Sequence, residues 1–156
     1  MNTTMLTTPH ALVGIYLATN FPPIVGLPAA LISHFVFDFF FPHWNPHLYT
    51  EMSKKGKISK NSWKWIIGDG IVAGLFCFLW AVKTFPNINL VVLGASGAFL
   101  SSLPDLVEIP YYFLNSKNDL LKKYIQFEHR YQFNASPFWG LLSQLVVLIA
   151  CLTLLF

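Results

Sequence analysis

Apolar residues in this chain gather in long blocks separated by short polar interruptions, with none of the strict alternation of a half-buried strand. The first block opens after Thr7-Thr8-Pro9, a hydroxyl cap followed by a proline in the first turn. It predicts a helix over about 10–19, halted by Asn20-Phe21-Pro22-Pro23. A second helix is predicted over about 24–41, ending at Pro42; Pro28 falls in its first two turns, where a missing donor costs least. A ten-residue helix rises only about 15 Å, half the hydrocarbon thickness of a bilayer. The two segments therefore read as a tight hairpin with its tip at Pro22-Pro23.

A polar loop over about 43–62 follows, carrying Lys54, Lys55, Lys57 and Lys60. The next helix, about 63–84, begins at an interfacial anchor of Trp63, Lys64 and Trp65. Within it lie Asp69 and the ridge Gly70-x-x-x-Gly74, which predicts close contact with another helix. The helix at about 88–103 presents Gly94, Gly97 and Ser101 on one face, again a packing surface, and Pro104-Asp105 is expected to end it. A second polar loop, about 105–136, includes a short interfacial stretch at 106–114, and the last helix runs over about 137–156. The pattern predicts an all-α integral membrane bundle over 1–156, one domain of about five membrane helices including the short N-terminal hairpin.

Composition strengthens this reading. The chain is 54% hydrophobic and 11% charged, with mean hydropathy +0.53, whereas soluble domains carry about 25% charge. The net charge of +3 is informative only through its positions. Nine of the ten basic residues lie in or beside the two polar loops, and only Lys83 lies elsewhere. By the positive-inside rule both loops and the N-terminus are cytoplasmic and the C-terminus lies outside. The expected partner is the lipid bilayer; no nucleic acid is expected, and no pattern specifies an oligomeric state. The N-terminus lacks the basic region of a signal peptide, so no cleavage is expected. Cys77 and Cys151 sit inside apolar blocks and read as packing residues.

Against this background the ionisable residues stand out. His34 and Asp38 are one turn apart on one helical face within SHFVFDFFFPHW, and His43 follows just past Pro42. Such groups are costly in an apolar setting unless paired, metal-bound or hydrated. His10 lies about ten residues before the hairpin tip and His34 about ten after it, so both imidazoles fall at similar depth, with Asp38 one turn nearer the surface. His10, His34, Asp38, His43, Asp69, Asp105 and His129 all fall near the cytoplasmic ends of their segments. We take His10, His34, Asp38, His43, Asp69 and Asp105 as candidate metal ligands, and Asp69 and His129 as candidate catalytic groups. Imidazole and carboxylate suit zinc first, with manganese or iron as further options. Such an ion can activate water for attack on an ester or phosphoester.

Plainer roles stand beside these. His34 and Asp38 can be a polar pair locking helices together, and Ser102-x-x-Asp105 fits a capping arrangement. Glu108 reads as a solvated interfacial group, and His129 as a candidate loop residue within Glu128-His129-Arg130.

At these residues the chain resembles a family of small bacterial and archaeal inner-membrane proteins described as predicted membrane-bound metal-dependent hydrolases. The shared features are Thr8-Pro9-His10, Ser33-His34-x-x-x-Asp38 with Pro42-His43-Trp44, Gly68-Asp69, Leu103-Pro104-Asp105, His129-Arg130 and the final helix from Gly140 to Gln144. Members often carry a further histidine after the His-Arg pair, where this chain has Tyr131-Gln132-Phe133-Asn134. A more distant likeness joins His34, Asp38 and His43 to the His-x-x-x-Asp…His motif of zinc-dependent phospholipase C and the single-strand-specific nucleases, with one residue fewer before His43. The resemblance implies a hydrolase in a prokaryotic inner membrane, acting on an ester or phosphoester such as a phospholipid. By position, Arg130 or Lys64 is a candidate to hold a headgroup phosphate. The alternatives are a metal or proton carrier, and a non-catalytic membrane protein whose His/Asp cluster is structural.

Overall fold

A computed structural model describes residues 5–156. Among them the chain forms seven helices and no strand: α1 (Thr7–Asn20), α2 (Pro23–Phe40), α3 (Leu48–Lys55), α4 (Lys60–Thr84), α5 (Ile88–Phe113), α6 (Asp119–Tyr131) and α7 (Pro137–Leu155). Four of these, α2, α4, α5 and α7, are long and apolar enough to cross a membrane. Their outward faces are large apolar side chains such as Ile71, Phe78, Phe138 and Val146, all more than half exposed. A surface of that kind suits a bundle surrounded by hydrocarbon.

The short first helix is not a fifth wall of the bundle but its core. α1 packs against α2, α4, α5 and α7, and nine of its 14 residues are buried. Its length, about 21 Å, falls short of a bilayer, and the surrounding helices make up the difference. The crossing with α5 is as close as backbones permit. A Cβ added at Gly14 would lie 2.3 Å from the Gly97 carbonyl oxygen, and one at Gly97 would lie 2.2 Å from that of Gly14. Gly94 leaves room for the Trp80 ring. The predicted packing face on α5 is therefore used. The predicted ridge at Gly70 and Gly74 is not: nothing lies within 4 Å of a Cβ built at either, so this face of α4 looks outward.

Helix ends differ from expectation where tertiary contacts override local signals. α5 does not stop at Pro104 but continues through Pro104 and Pro110 to Phe113. A proline removes one helical hydrogen bond and strains one turn, and the packing of α5 on α1 and α2 holds the helix through it. The polar loops also contain structure. α3 is closed by Gly56 in the left-handed conformation at φ 65°, and α6 is capped by the Asn118 side chain, which accepts from the backbone of Leu120 and Leu121.

The N-terminus of α1 has no side-chain cap of its own. Its backbone donors are satisfied by three other helices. Met5 N–H donates to Asp38 of α2 at 3.2 Å, Leu6 N–H to Gln144 of α7 at 2.8 Å, and Thr7 N–H to Asp69 of α4 at 2.6 Å. At the opposite end of the bundle Lys83 donates to the Leu155 carbonyl at 2.7 Å, complementing the C-terminal end of α7. Thus the one basic residue outside the loops has a structural role, and the other nine lie at the end where α1 begins.

Candidate metal centre

His34 Nδ1 on α2 donates a hydrogen bond to the Ser101 carbonyl on α5 at 3.0 Å. A carbonyl oxygen only accepts, so Nδ1 carries the proton and Nε2 keeps its lone pair. This second-sphere arrangement is the one that orients ligating histidines. His43 is held alike, its Nδ1 bonding the Phe41 carbonyl at 2.9 Å.

His34 Nε2 lies 3.7 Å from Asp38 Oδ2 and 3.9 Å from Glu128 Oε1. His10 Nε2 lies 3.2 Å from Asp38 Oδ1, without the alignment of a hydrogen bond. The rings of His10 and His34 stack with centroids 4.3 Å apart, so the two imidazoles at matching depth in the hairpin do meet. One ligand atom from each of His10, His34 and Asp105 falls within 4.8 Å of the others, and this group can hold a metal ion. His10, His34, Asp38, His43 and Glu128 are all at most 1% exposed. Among the described residues several buried polar atoms of the group lack a hydrogen-bond partner: both nitrogens of His10, His34 Nε2, Asp38 Oδ2, Asp105 Oδ2 and Glu128 Oε2. Unsatisfied atoms of this density are costly, and a coordinated cation would satisfy them.

Charge points the same way. Asp38, Asp105, Glu108 and Glu128 form a cluster in which Glu108 and Glu128 share a hydrogen bond. No Lys or Arg among the described residues forms an ion pair with any of them. Burial pushes the Glu128 carboxyl up to about 7, with Asp38 adding to the rise and hydrogen bonds from Tyr124 and Glu108 opposing it. Four carboxylates in so dry a place need protons or cations. No family model, curated protein or solved structure matches the chain. The reading of the centre therefore rests on its own geometry.

The remaining candidates are placed as follows. Asp69 lies outside the His10–His34–Asp105 group. Its Oδ2 accepts from Thr7 N–H, and its Oδ1 from the Thr8 hydroxyl at 2.6 Å and Thr8 N–H at 3.2 Å, so it caps α1. His43 is buried on the segment after α2 and within electrostatic reach of His34 and Asp38. His129 is turned toward α3, its ring 4.1 Å from that of Tyr49. Its neighbour Glu128 enters the cluster instead. Glu108, expected to be solvated, is 5% exposed and part of the same cluster.

Glu128 escaped the sequence reading because 115–135 looked like a loop. As a helix, that segment puts Leu121, Ile125, Glu128 and Gln132 on one stripe, and a carboxylate on a buried stripe is the signal that would have found it. The end of α6 is fixed to α2 by backbone pairing: Phe133 N–H donates to the Asp38 carbonyl at 2.8 Å, and His43 exchanges bonds with Phe133 and Ala135. On its exposed side, Asp105 and Glu108 border a cleft of about 100 Å³ that Thr7, Asn45 and Asp69 also line. That cleft is an approach to the centre.

Proposed function

We propose that this chain is a metal-dependent hydrolase of phosphoesters or esters, with a membrane lipid as substrate, working at the cytoplasmic face of a prokaryotic inner membrane. The observation that carries the reading is the convergence of His10, His34 and Asp105 beside Asp38, with His34 held by Ser101 in the tautomer that exposes its Nε2 lone pair. Mixed imidazole and carboxylate donors suit zinc, and also manganese or iron. When bound, such an ion supplies Lewis acidity toward a phosphoryl or carbonyl oxygen and lowers the pKa of a coordinated water toward about 7. The protein's part is to hold His10, His34 and Asp105 in place, to exclude bulk water, and to take up a proton at Glu128, whose affinity for one is raised by burial. The resemblance to predicted membrane hydrolases supports the same reaction class, and the basic loops at this end support a cytoplasmic orientation.

One observation favours a structural reading: the Met5 N–H bond to Asp38 ties α1 to α2 whether or not a metal binds. A carrier is disfavoured, because the buried ionisable groups cluster at one end of the bundle. Metal analysis of the purified protein decides among these readings. Wild type is expected to retain a transition metal and to cleave phospholipid vesicles, whereas His34→Ala and Asp105→Ala lower metal affinity by more than about 100-fold, beyond the usual effect of losing a second-sphere partner. A wild-type protein that binds no transition metal would sink the proposal.

A further inference from the structure

α4 and α7 both lean on α1, and between them runs a groove of about 380 Å³. Lys64, Gly68 and Val72, spaced one turn apart, form its α4 wall. Leu141, Leu145 and Leu148 form the α7 wall, and Pro9, next to His10, contributes to its floor. Both walls belong to helices able to cross a membrane, so the groove opens toward hydrocarbon. An apolar channel of this kind does not hold water stably. Gly68 keeps it open, since nothing lies within 4 Å of a Cβ built there.

The polar side chains of the lining are Thr8, Lys64, Asp69 and Gln144, of which Asp69 and Gln144 accept bonds from the start of α1. Lys64 stands beside Trp65, at the start of α4 where a membrane interface falls. Asp69, the carboxylate that shares this lining, is already engaged by the N-terminus of α1, and no ion pair is formed by Lys64 among the described residues, so its ammonium is available to an external anion. Asp69 also lines the cleft that leads to Asp105 and Glu108. A hydrocarbon tail lying along Val72 and Leu145 would thus bring its polar head to Lys64, one side chain from the approach to the metal centre.

We propose that this groove binds an acyl chain of an anionic membrane phospholipid, its phosphate paired with Lys64, and so selects the substrate of the adjacent centre. The inference rests on the hydrolase reading for the word substrate, but the binding site itself does not require turnover. The positive charge at Lys64 favours a net-anionic phospholipid over a zwitterionic one, whose choline cation it repels.

The test is photolabelling of the full chain, reconstituted in phosphatidylcholine vesicles with a minor fraction of phosphatidylglycerol carrying a diazirine on its acyl chain. Adducts are expected to concentrate at Val72, Leu145 and Leu148. Gly68→Leu, which fills the groove without meeting a neighbour, should lower them about tenfold, the effect of losing about 1.4 kcal/mol of binding. Labelling on outward residues such as Ile71 and Phe78 should stay unchanged. Lys64→Gln should abolish the preference for the phosphatidylglycerol probe over a phosphatidylcholine probe. Labelling spread evenly over the outward faces, or a protein–protein cross-link through the groove, overturns the inference. Selective adducts in a protein that binds no metal would leave the groove standing and remove the hydrolase. A metal-dependent hydrolase with unselective adducts would do the reverse.

Discussion

Asp69 shows how one carboxylate can be read in two ways from its neighbours in sequence. More than a turn inside an apolar helix, it has few reasons to exist other than to hold a cation or to satisfy buried donors. The structure gives both its oxygens to the first turn of α1. Asp69→Asn keeps the shape, loses the charge that complements a helix N-terminus, and should cost about 1 kcal/mol of stability. Metal content should remain at the wild-type level; a variant that folds but loses its metal would show that Asp69 is a ligand after all. The meeting of His10 and His34 was legible beforehand, because equal distances from a hairpin tip mean equal depth. The role of Asp69 was not, because its partners, two backbone N–H groups and the Thr8 hydroxyl, lie some 60 positions away, and no local spacing links them to it.

Between helices, the decisive contacts are made by residues with little or no side chain. Gly14→Ala puts a methyl against the Gly97 carbonyl, and overpacking of this sort costs about 1–3 kcal/mol. Gly74→Ala, on an open face, meets no neighbour and should leave stability unchanged or raise it by up to about 1 kcal/mol, the helix preference for alanine. Thermal unfolding of the two variants side by side checks both values, and equal losses would mean that α1 and α5 do not cross where described. The small-residue pattern located both ridges but could not say which one meets a partner. The prolines of α5 misled in the opposite direction. Local chemistry favours a stop at Pro104, yet the packed helix carries on, and its continuation sets Asp105 and Glu108 one turn apart on the side facing α6.

For the molecule as a whole, the apolar blocks revealed four spans, and the separation of charge marked one end of the bundle. What they did not reveal was that α1 is enclosed by its neighbours over most of its length, with nine of its 14 residues buried. Orientation can be read with single cysteines in a background lacking Cys77 and Cys151. Lys57→Cys and Lys123→Cys should react with an impermeant maleimide in inverted vesicles, and Asn87→Cys in right-side-out cells; Lys57 and Lys123 reacting from opposite sides would contradict the fold. The enclosure of α1 also bears on how the protein is made. His10 is synthesised before every other member of the cluster, and Glu128 after all of them. A nascent chain that has inserted only its first hairpin and α4 already carries His10, His34, Asp38 and Asp69, yet lacks Asp105, Glu108 and Glu128. Until α5 and α6 emerge, α1 must wait in the bilayer or translocon with its polar face uncovered. The His10–His34–Asp105 group that could hold an ion is therefore complete only once α5 has emerged, and Glu128 joins it with α6, before α7 is made.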